Sequence, residues 1–297
     1  MYPRSFAYYR AASLDEAAAL LRELGPEAKL LAGGQSLVPL MKLRLSSPAA
    51  LVDLGHLRGA DYVKEDDDGL LLGPLTRHAD VEHSAAAGKI PILGDCAAGI
   101  ADVQVRNWGT VVGSIAEADP TGDWAPVLLT LDSQVLCRST GRQRRIALSD
   151  FIQDAFTTAL EPGELVEQLE IKAPGPGSGG CYLAFKRCAP VYASASVAVQ
   201  LTMQDGVCGK ARVALGAVAL TPVIANQAAA ALEGKAIDAA TVKRASEAAA
   251  AACEPPSDGR GSAEYKRALI RKLFAEAAIV AARRARGEAV EVSHHYA

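Results

Sequence analysis

The first hundred residues show a hydrophobic pattern that changes between helical and strand periods. In "SLDEAAALLRELG" the leucines share one helical face, Ser13 and Glu16 predict a capping box, and Gly25 predicts the helix end. "AKLLA" predicts a short buried strand, and "SLVPLMKLRL" predicts a helix that begins at Ser36. "LVDLGHL" continues this pattern, and "GLLLGPLTRHADVEHS" predicts a strand followed by a helix that begins near Thr76. This order of elements predicts an α+β lobe.

The pattern changes again in the second half of the chain. From about residue 110 to 172, segments such as "SQVLCRST" and "RRIALSDF" favour strands over most of the length. "APGPGSGG", at 173–180, has the composition of a linker. Beyond it, "SVAVQLTMQDGVCGKARVALGAVA" predicts two strands joined by a turn at Asp205 and Gly206, and the remainder predicts alanine-rich helices. We therefore predict one domain over residues 1–176 and a second over residues 177–297.

Composition and charge exclude several classes of protein. The 297 residues are 50% hydrophobic and carry a net charge of −3, so the chain can bury a large core and has no general attraction for nucleic acid or anionic lipid. The sequence has neither a signal-like N-terminus nor about 18 consecutive apolar residues, so we expect a cytoplasmic protein without a membrane span. The six cysteines form no C-x-x-C pair, and we expect no metal site and no disulfide. Any redox chemistry would then depend on an organic cofactor.

The glycine pair in "LLAGGQSLVPL" is the first candidate for ligand binding. A strand that ends at Gly33 and Gly34, before a helix that begins at Ser36, presents consecutive N–H groups without a Cβ, which suits a diphosphate. A tight turn with no ligand is the alternative interpretation. "AGGQS" matches neither G-x-G-x-x-G nor the Walker pattern. A second turn of small residues, "GTVVGS", favours one extended ligand held at two places.

Several segments, taken in order along nearly the whole chain, resemble one known family. They are "KLLAGGQSL", "VRNWGTVVGSIAEADPTGDWAPVLLTLDS", "ALEPGELVEQLEI", "FKRCAP", "ARVALGAVALTP" and "SAEYKRAL". Together they resemble the FAD-binding medium subunit of the molybdenum hydroxylases, the group that includes carbon monoxide dehydrogenase and xanthine dehydrogenase. The resemblance implies a PCMH-type FAD-binding domain made of two α+β subdomains, over about 1–55 and 56–176. It also implies a C-terminal domain of a small antiparallel sheet plus helices.

The resemblance also implies which residues bind FAD. The N–H groups of residues 32 to 36 would contact the pyrophosphate. They belong to nine consecutive residues that would lie along the cofactor: Lys29, Leu30, Leu31, Ala32, Gly33, Gly34, Gln35, Ser36 and Leu37. A second FAD loop would comprise Thr110, Val111, Val112, Gly113 and Ser114. The family usually has glycine where this chain has Val112, which leaves less room for the cofactor.

Four further positions are implied by the same resemblance. Asp123 matches an acidic residue that hydrogen-bonds the cofactor, and Val166 matches a residue whose main chain touches the flavin. Lys186 would lie near the N1/C2=O edge of the flavin, where a cation stabilises the anionic reduced form. Tyr192 would stack on the flavin ring or else pack in the core.

Two histidines and two tryptophans allow alternative interpretations. His78 and His83 are five residues apart, which does not place two metal ligands on one helical face, so we expect a surface helix. Trp108 and Trp124 flank the second loop, and we expect them in the core or at an interface.

The function implied by the resemblance is electron transfer through FAD, with no catalytic residue on this chain. The partners would be a small subunit with [2Fe–2S] clusters and a large molybdopterin subunit, assembled as a dimer of heterotrimers. Electrons would come from those clusters and go to an external acceptor. The alternatives are a self-sufficient FAD oxidase or dehydrogenase of the vanillyl-alcohol oxidase type, and a nucleotide-binding protein without redox turnover.

Overall fold

The computed structural model of the chain describes residues 2–296, and its first lobe is a three-stranded parallel sheet in the order β1-β3-β2. The helix predicted after Ser13 is confirmed: the Ser13 hydroxyl accepts a hydrogen bond from the Glu16 N–H at 3.1 Å, and Gly25 ends the helix with φ 73°. The elements of this lobe are β1 (Ala7–Arg10), α1 (Leu14–Leu24), β2 (Ala28–Leu31), α2 (Leu37–Leu43) and β3 (Ala50–Asp53).

The second lobe is an antiparallel five-stranded sheet in the order β4-β5-β10-β6-β7, with helices between its strands. A small hairpin, β8-β9, follows α9. The strands are β4 (Val63–Glu65), β5 (Gly69–Leu72), β6 (Gln134–Ser139), β7 (Arg142–Ala147), β8 (Ile152–Asp154), β9 (Thr157–Thr158) and β10 (Leu165–Lys172). The helices are α3 (His78–Glu82), α4 (Ala85–Lys89), α5 (Pro91–Gly99), α6 (Val103–Trp108), α7 (Val111–Glu117), α8 (Trp124–Thr130) and α9 (Leu148–Phe151).

The expectation of mostly strands from 110 onward is wrong for α7 and α8. Branched residues such as Val111, Ile115 and Val127 favoured strands locally, but in the structure they are buried on helices. Six of the seven residues of α8 are buried, which removes the polar face that identifies a helix in a sequence.

The third lobe is a five-stranded sheet in the order β14-β13-β12-β11-β15, antiparallel except for the β11-β15 pair. The turn predicted between β12 and β13 is confirmed: Asp205 and Gly206 have φ 49° and 81°, as a type I′ hairpin turn requires. The elements are β11 (Ser178–Lys186), β12 (Ala195–Gln204), β13 (Val207–Gly216), β14 (Val223–Ile224), α10 (Asn226–Leu232), α11 (Ala239–Ala251), α12 (Ala263–Ala285) and β15 (His295–Tyr296).

Both faces of the third sheet are covered, which fixes its position against the second lobe. Cys181 and Leu183 of β11 belong to a core shared with α10, α11 and α12. Tyr182 and Ala184 point the other way, into the core of the second lobe. This alternation is the period of two expected for a strand. The chain passes between the two sheets through residues 173–177, and the division into domains at 176 stays a prediction.

Within residues 2–296, no helix is long and apolar enough to cross a bilayer. All six cysteines are free, and five of them are buried. The same part of the chain has no cluster of three or more His, Cys, Asp or Glu side chains that could hold a metal ion.

Candidate functional site

A cleft of about 930 Å³ lies where the three lobes meet. This volume is at the upper end of the range of roughly 300–1,000 Å³ found for small-molecule and cofactor sites. The walls come from the loop after β2, from α7 and the segment before β10, and from the chain after β11. The wall therefore offers contacts to a ligand at several separate places.

The loop after β2 presents unpaired N–H groups to this cleft. The backbone N–H groups of Gly33, Gly34, Gln35 and Ser36 donate to no acceptor among the residues that the structure describes, and none of these residues is buried. Consecutive N–H groups of this kind form an anion-binding concavity. The loop can therefore hold a diphosphate with main-chain donors, without a basic side chain.

The two glycines are required by the protein itself. A Cβ on Gly33 would lie 2.0 Å from the main-chain oxygen of Trp108, so the backbones of two lobes meet at this residue. Gly34 has φ 71°, a conformation that glycine adopts without strain, and a Cβ there would meet side chains of Leu31 and Val38 at 3.1 and 3.2 Å. The chain itself excludes these side chains, and the N–H groups of the loop stay free.

The segment predicted as the second loop is the first turn of α7. The Thr110 hydroxyl accepts a hydrogen bond from the Gly113 N–H at 3.1 Å, and the Ser114 N–H donates to the Thr110 carbonyl at 3.0 Å. Both N–H groups are therefore already paired. The side chain of Val111 is buried in the core, and this residue is outside the cleft wall, whereas the other four positions line the cleft.

The departure at Val112 has a structural explanation. Val112 belongs to the core of the second lobe and exposes 5% of its surface, so most of its side chain packs away from the cleft. A Cβ on Gly113 would lie 2.6 Å from the Thr110 hydroxyl, so the cap explains the glycine at 113. The residues of this turn thus shape the wall, and the main-chain donors come from the first loop.

A buried ion pair forms part of the cleft wall. Lys186, 1% exposed, donates from Nζ to the Asp123 carboxylate at 3.1 Å and to the Gly99 carbonyl at 2.7 Å. Asp123 also accepts a hydrogen bond from the Tyr182 hydroxyl at 2.6 Å. Burial, followed by the negative charge of Asp123, raises the pKa of Tyr182 well above its usual value, so this hydroxyl stays a donor. Lys186 therefore presents a charge to the cleft that Asp123 partly compensates.

His78 is in the wall of the cleft, and the expectation of a surface helix is wrong for this residue. Its Nδ1 accepts a hydrogen bond from Nε1 of the fully buried Trp124 at 2.9 Å. Burial lowers the pKa of His78 to about 4; the charge of Asp123 opposes this shift and that of Arg106 adds to it, so the ring is neutral near pH 7. The proton is then on Nε2, which has no acceptor among the described residues. The sequence pattern missed this donor because its partner is 46 positions away.

Three other predicted or candidate residues lie at the edges of the cleft. Val166 lines it from β10. Tyr192 also lines it and is 46% exposed, with the Arg260 guanidinium 5.7 Å from its ring centre, so core packing does not describe this side chain. Trp108 is 63% exposed, beside the first loop, whereas Trp124 is in the core. The outward position of Trp108 leaves an aromatic surface next to the cleft.

Sequence reasoning missed the part of the wall that precedes β10. Residues 160–164 line the cleft, and Gly163 has φ 80°, as the "EPGE" turn signal would have indicated. Glu117, also in the wall, has a pKa raised by burial and then by Asp119, whereas Lys29 opposes that rise. No signal in the sequence identified Glu117, because its burial depends on how the second lobe packs against the first.

The residues of the cleft fit an FAD. The unpaired N–H groups after β2 suit its pyrophosphate, the cleft has the volume of a cofactor site, and Lys186 lines it from the third lobe. The structure thus brings seventeen of the eighteen predicted positions into one wall, and the contact of each with the cofactor stays a prediction.

Two family profiles match the chain. The first, described as the FAD binding domain in molybdopterin dehydrogenase, matches residues 4–174. The second, described as the CO dehydrogenase flavoprotein C-terminal domain, matches residues 180–281. Together they cover all three lobes, up to the last turn of α12.

Individual proteins show the same similarity. The medium chain of carbon monoxide dehydrogenase from Afipia carboxidovorans is 39% identical over 267 residues, 90% of this chain and 93% of that one. The alpha subunit of the 6-hydroxypseudooxynicotine dehydrogenase complex from Paenarthrobacter nicotinovorans is 34% identical over 296 residues, 99% of this chain and 100% of that one. Among solved structures, a chain of reconstituted CO dehydrogenase from Oligotropha carboxidovorans superposes with a TM-score of 0.93 at 38% identity, covering 96% of this chain and 100% of that one.

Proposed function

Because this chain belongs to the family of FAD-binding medium subunits of molybdenum hydroxylases, we propose that it transfers electrons from iron–sulfur clusters of a partner subunit to an external acceptor. It is an oxidoreductase subunit with an FAD-binding domain, as its relatives are. FAD, when bound, supplies a store that exchanges electrons singly or in pairs.

One observation carries this proposal: the row of unpaired N–H groups at residues 33 to 36 in a cleft that also contains the Lys186 ammonium. The row of N–H groups suits the pyrophosphate of FAD, and a cation such as the Lys186 ammonium near a flavin favours its reduced, anionic form. Asp123 holds this ammonium at 3.1 Å and reduces its net charge, so we expect a moderate effect on the reduction potential.

The partners and the location belong to the same proposal. We place the [2Fe–2S] clusters on a small subunit and the molybdopterin on a large one, in a dimer of heterotrimers in the cytoplasm. Support comes from the relatives, which are medium chains or subunits of a complex, and from cysteines that are dispersed through the described residues. The exposed Trp108, beside the first loop, is our candidate for the surface where electrons enter.

In our proposal, another subunit of the complex binds and selects the substrate. The relative from Afipia carboxidovorans belongs to a carbon monoxide dehydrogenase, and the one from Paenarthrobacter nicotinovorans to a 6-hydroxypseudooxynicotine dehydrogenase. Chains with similar sequences over almost their whole length thus serve different substrates. This similarity supports a shared flavin role and a substrate site on another subunit.

Anaerobic stopped-flow absorbance at the flavin band tests the proposal. The FAD-loaded chain is mixed with carbon monoxide, aldehydes, N-heterocycles and purines, alone and in a complex with its co-expressed partner subunits. We expect no bleaching of the lone chain and rapid bleaching in the complex with one of these substrates. Rapid bleaching of the lone chain would instead favour the self-sufficient oxidase. A bound nucleotide that stays unreduced in a complex that turns over would favour a protein without redox function.

A further inference from the structure

The C-terminal tail returns from the end of α12 to the second lobe and pairs with β11 beside the cleft. His295 and Tyr296 form a parallel pair with Phe185 and Lys186. Without this pair, that end of β11 would be an open sheet edge next to a buried lysine. The tail therefore adds a strand at the position where Lys186 enters the cleft wall.

His294 connects two elements of the wall through its two ring nitrogens. Nδ1 accepts a hydrogen bond from the Ala184 N–H of β11 at 3.1 Å. Nε2 lies 2.8 Å from the Asp95 carbonyl of α5 and donates to it, because a carbonyl can only accept. The ring is thus a neutral bridge between the third and second lobes, and burial, which lowers the pKa of His294, favours the same state.

The same ring fills the space beside Gly99. A Cβ on Gly99 would lie 1.9 Å from Nε2 of His294, and the three nearest atoms to it all belong to this ring. The carbonyl of Gly99 accepts the 2.7 Å hydrogen bond from Nζ of Lys186. The His294 and Tyr182 rings also pack edge to face, with 5.6 Å between ring centres, and the Tyr182 hydroxyl donates to Asp123. His294 therefore contacts a direct partner of Lys186 and a direct partner of Asp123.

From these contacts we propose that His294, in the C-terminal tail, is a positioning residue for the Lys186–Asp123 pair of the cofactor site. Removal of the imidazole takes away the acceptor of the Ala184 N–H and a donor to the Asp95 carbonyl, and it opens a space beside Gly99. The Gly99 carbonyl and the Tyr182 ring can then move, and Lys186 loses its fixed position. The proposal rests on the FAD function only for its second test.

The first test needs no cofactor. It is a double-mutant cycle of chemical unfolding with Gly99→Ala, His294→Ala and the double variant, in the isolated chain. We expect Gly99→Ala to destabilise the native protein and to be tolerated in the His294→Ala background, because the new methyl group then enters the vacated space. The expected coupling is at least about tenfold in the unfolding equilibrium constant. Equal effects of Gly99→Ala in both backgrounds would overturn the contact on which the proposal rests.

The second test measures two properties of the bound flavin that a purely structural role of His294 would leave unchanged. The FAD dissociation constant and the two-electron potential of the flavin are compared in the complex for native protein, His294→Ala, His294→Gln and His295→Ala. We expect His294→Ala to weaken FAD binding about tenfold, which equals about 1.4 kcal/mol, and to lower the potential. Gln, whose amide can accept from Ala184 and donate to Asp95, should restore both values.

His295→Ala is the matched control, because the His295 side chain pairs with Glu276 at 2.8 Å and, among the described residues, hydrogen-bonds neither Ala184 nor Asp95. It should leave affinity and potential unchanged. If His294→Ala does not fold, His294→Phe keeps the volume beside Gly99 without the hydrogen bonds and takes its place. A folded His294→Ala or His294→Phe variant with a native potential and native FAD affinity would overturn the proposal. A native chain that binds no FAD would defeat the proposed function and leave the result of the double-mutant cycle intact.

Discussion

Gly33 and Trp108 approach so closely that a Cβ on the glycine would lie 2.0 Å from the tryptophan carbonyl oxygen. This contact joins the loop of the first lobe to the end of α6 in the second. It sets the width of the cleft at the place where the unpaired N–H groups begin. The packing of one glycine thus determines how the main-chain donors face the opposite wall.

Gly33→Ala should separate these two loops. We expect a loss of about 1–3 kcal/mol in the free energy of unfolding, as for other overpacked sites, and weaker FAD binding. Gly34→Ala should lose about 1 kcal/mol or more, because its φ of 71° strains any other residue. Gly175→Ala is the control, since no atom lies within 4 Å of its Cβ position. Urea unfolding and fluorescence titration with FAD measure both effects, and a native-like Gly33→Ala would show that the loops do not depend on this contact.

The sequence was informative where structure depends on near neighbours. The α1 cap, the Asp205–Gly206 turn and the glycine loop each involve residues a few positions apart, so their patterns are visible in the chain. The reason for Gly33 was not visible, because Trp108 is 75 positions away. His78 and His294 were missed in the same way: their partners Trp124 and Ala184 become neighbours only after the lobes close.

Lys186 and Asp123 should shift the flavin potential in opposite directions. Lys186→Met removes a positive charge and leaves Asp123 uncompensated, so the reduced flavin is disfavoured and the potential falls. Asp123→Asn leaves the ammonium less compensated, so the potential rises. A change of about 30 mV corresponds to about 1.4 kcal/mol for a two-electron couple and is within reach of a dye-equilibration titration. Shifts of the same sign, in variants that bind FAD, would place this pair away from the ring.

His78 should make stability depend on pH between about 4 and 6.5. Its pKa is about 4 in the folded protein and 6.5 as the ordinary value, so within this window the unfolded chain binds more protons and stability rises with pH. The full effect is about 3 kcal/mol, reached above the ordinary pKa and lost as the pH falls through this window. His294, whose pKa is also lowered, contributes in the same direction.

Replacing His78 by Gln should flatten this pH dependence. Urea unfolding at several pH values between 4 and 7 measures it in the native protein, His78→Gln and His83→Gln. The last variant is the control because His83 lies outside the cleft wall. A pH profile in His78→Gln identical to that of the native protein would show that His78 titrates normally.

The second and third lobes are also joined by a buried ion pair. Arg284 of α12 donates to both carboxylate oxygens of Asp95 of α5, at 2.6 and 2.9 Å. Arg284→Met leaves a buried carboxylate without its cationic partner and should lower the free energy of unfolding by about 3–5 kcal/mol. Arg283→Met, next to it on the helix, removes an exposed pair with Glu288 and should change stability by less than about 1 kcal/mol. Similar effects in thermal or urea unfolding would contradict the buried role of Arg284.

The cofactor content of the purified complex tests the central claim most directly. The complex is denatured, the protein is precipitated, and the released small molecules are identified and quantified by chromatography and mass spectrometry. We expect one FAD for each copy of this chain, all of it released without covalent attachment, and a sharply lower content in Gly33→Ala. Release of FMN or of no flavin from a folded complex that can be incubated with excess FAD, or flavin that stays covalently on the chain, would contradict the claim.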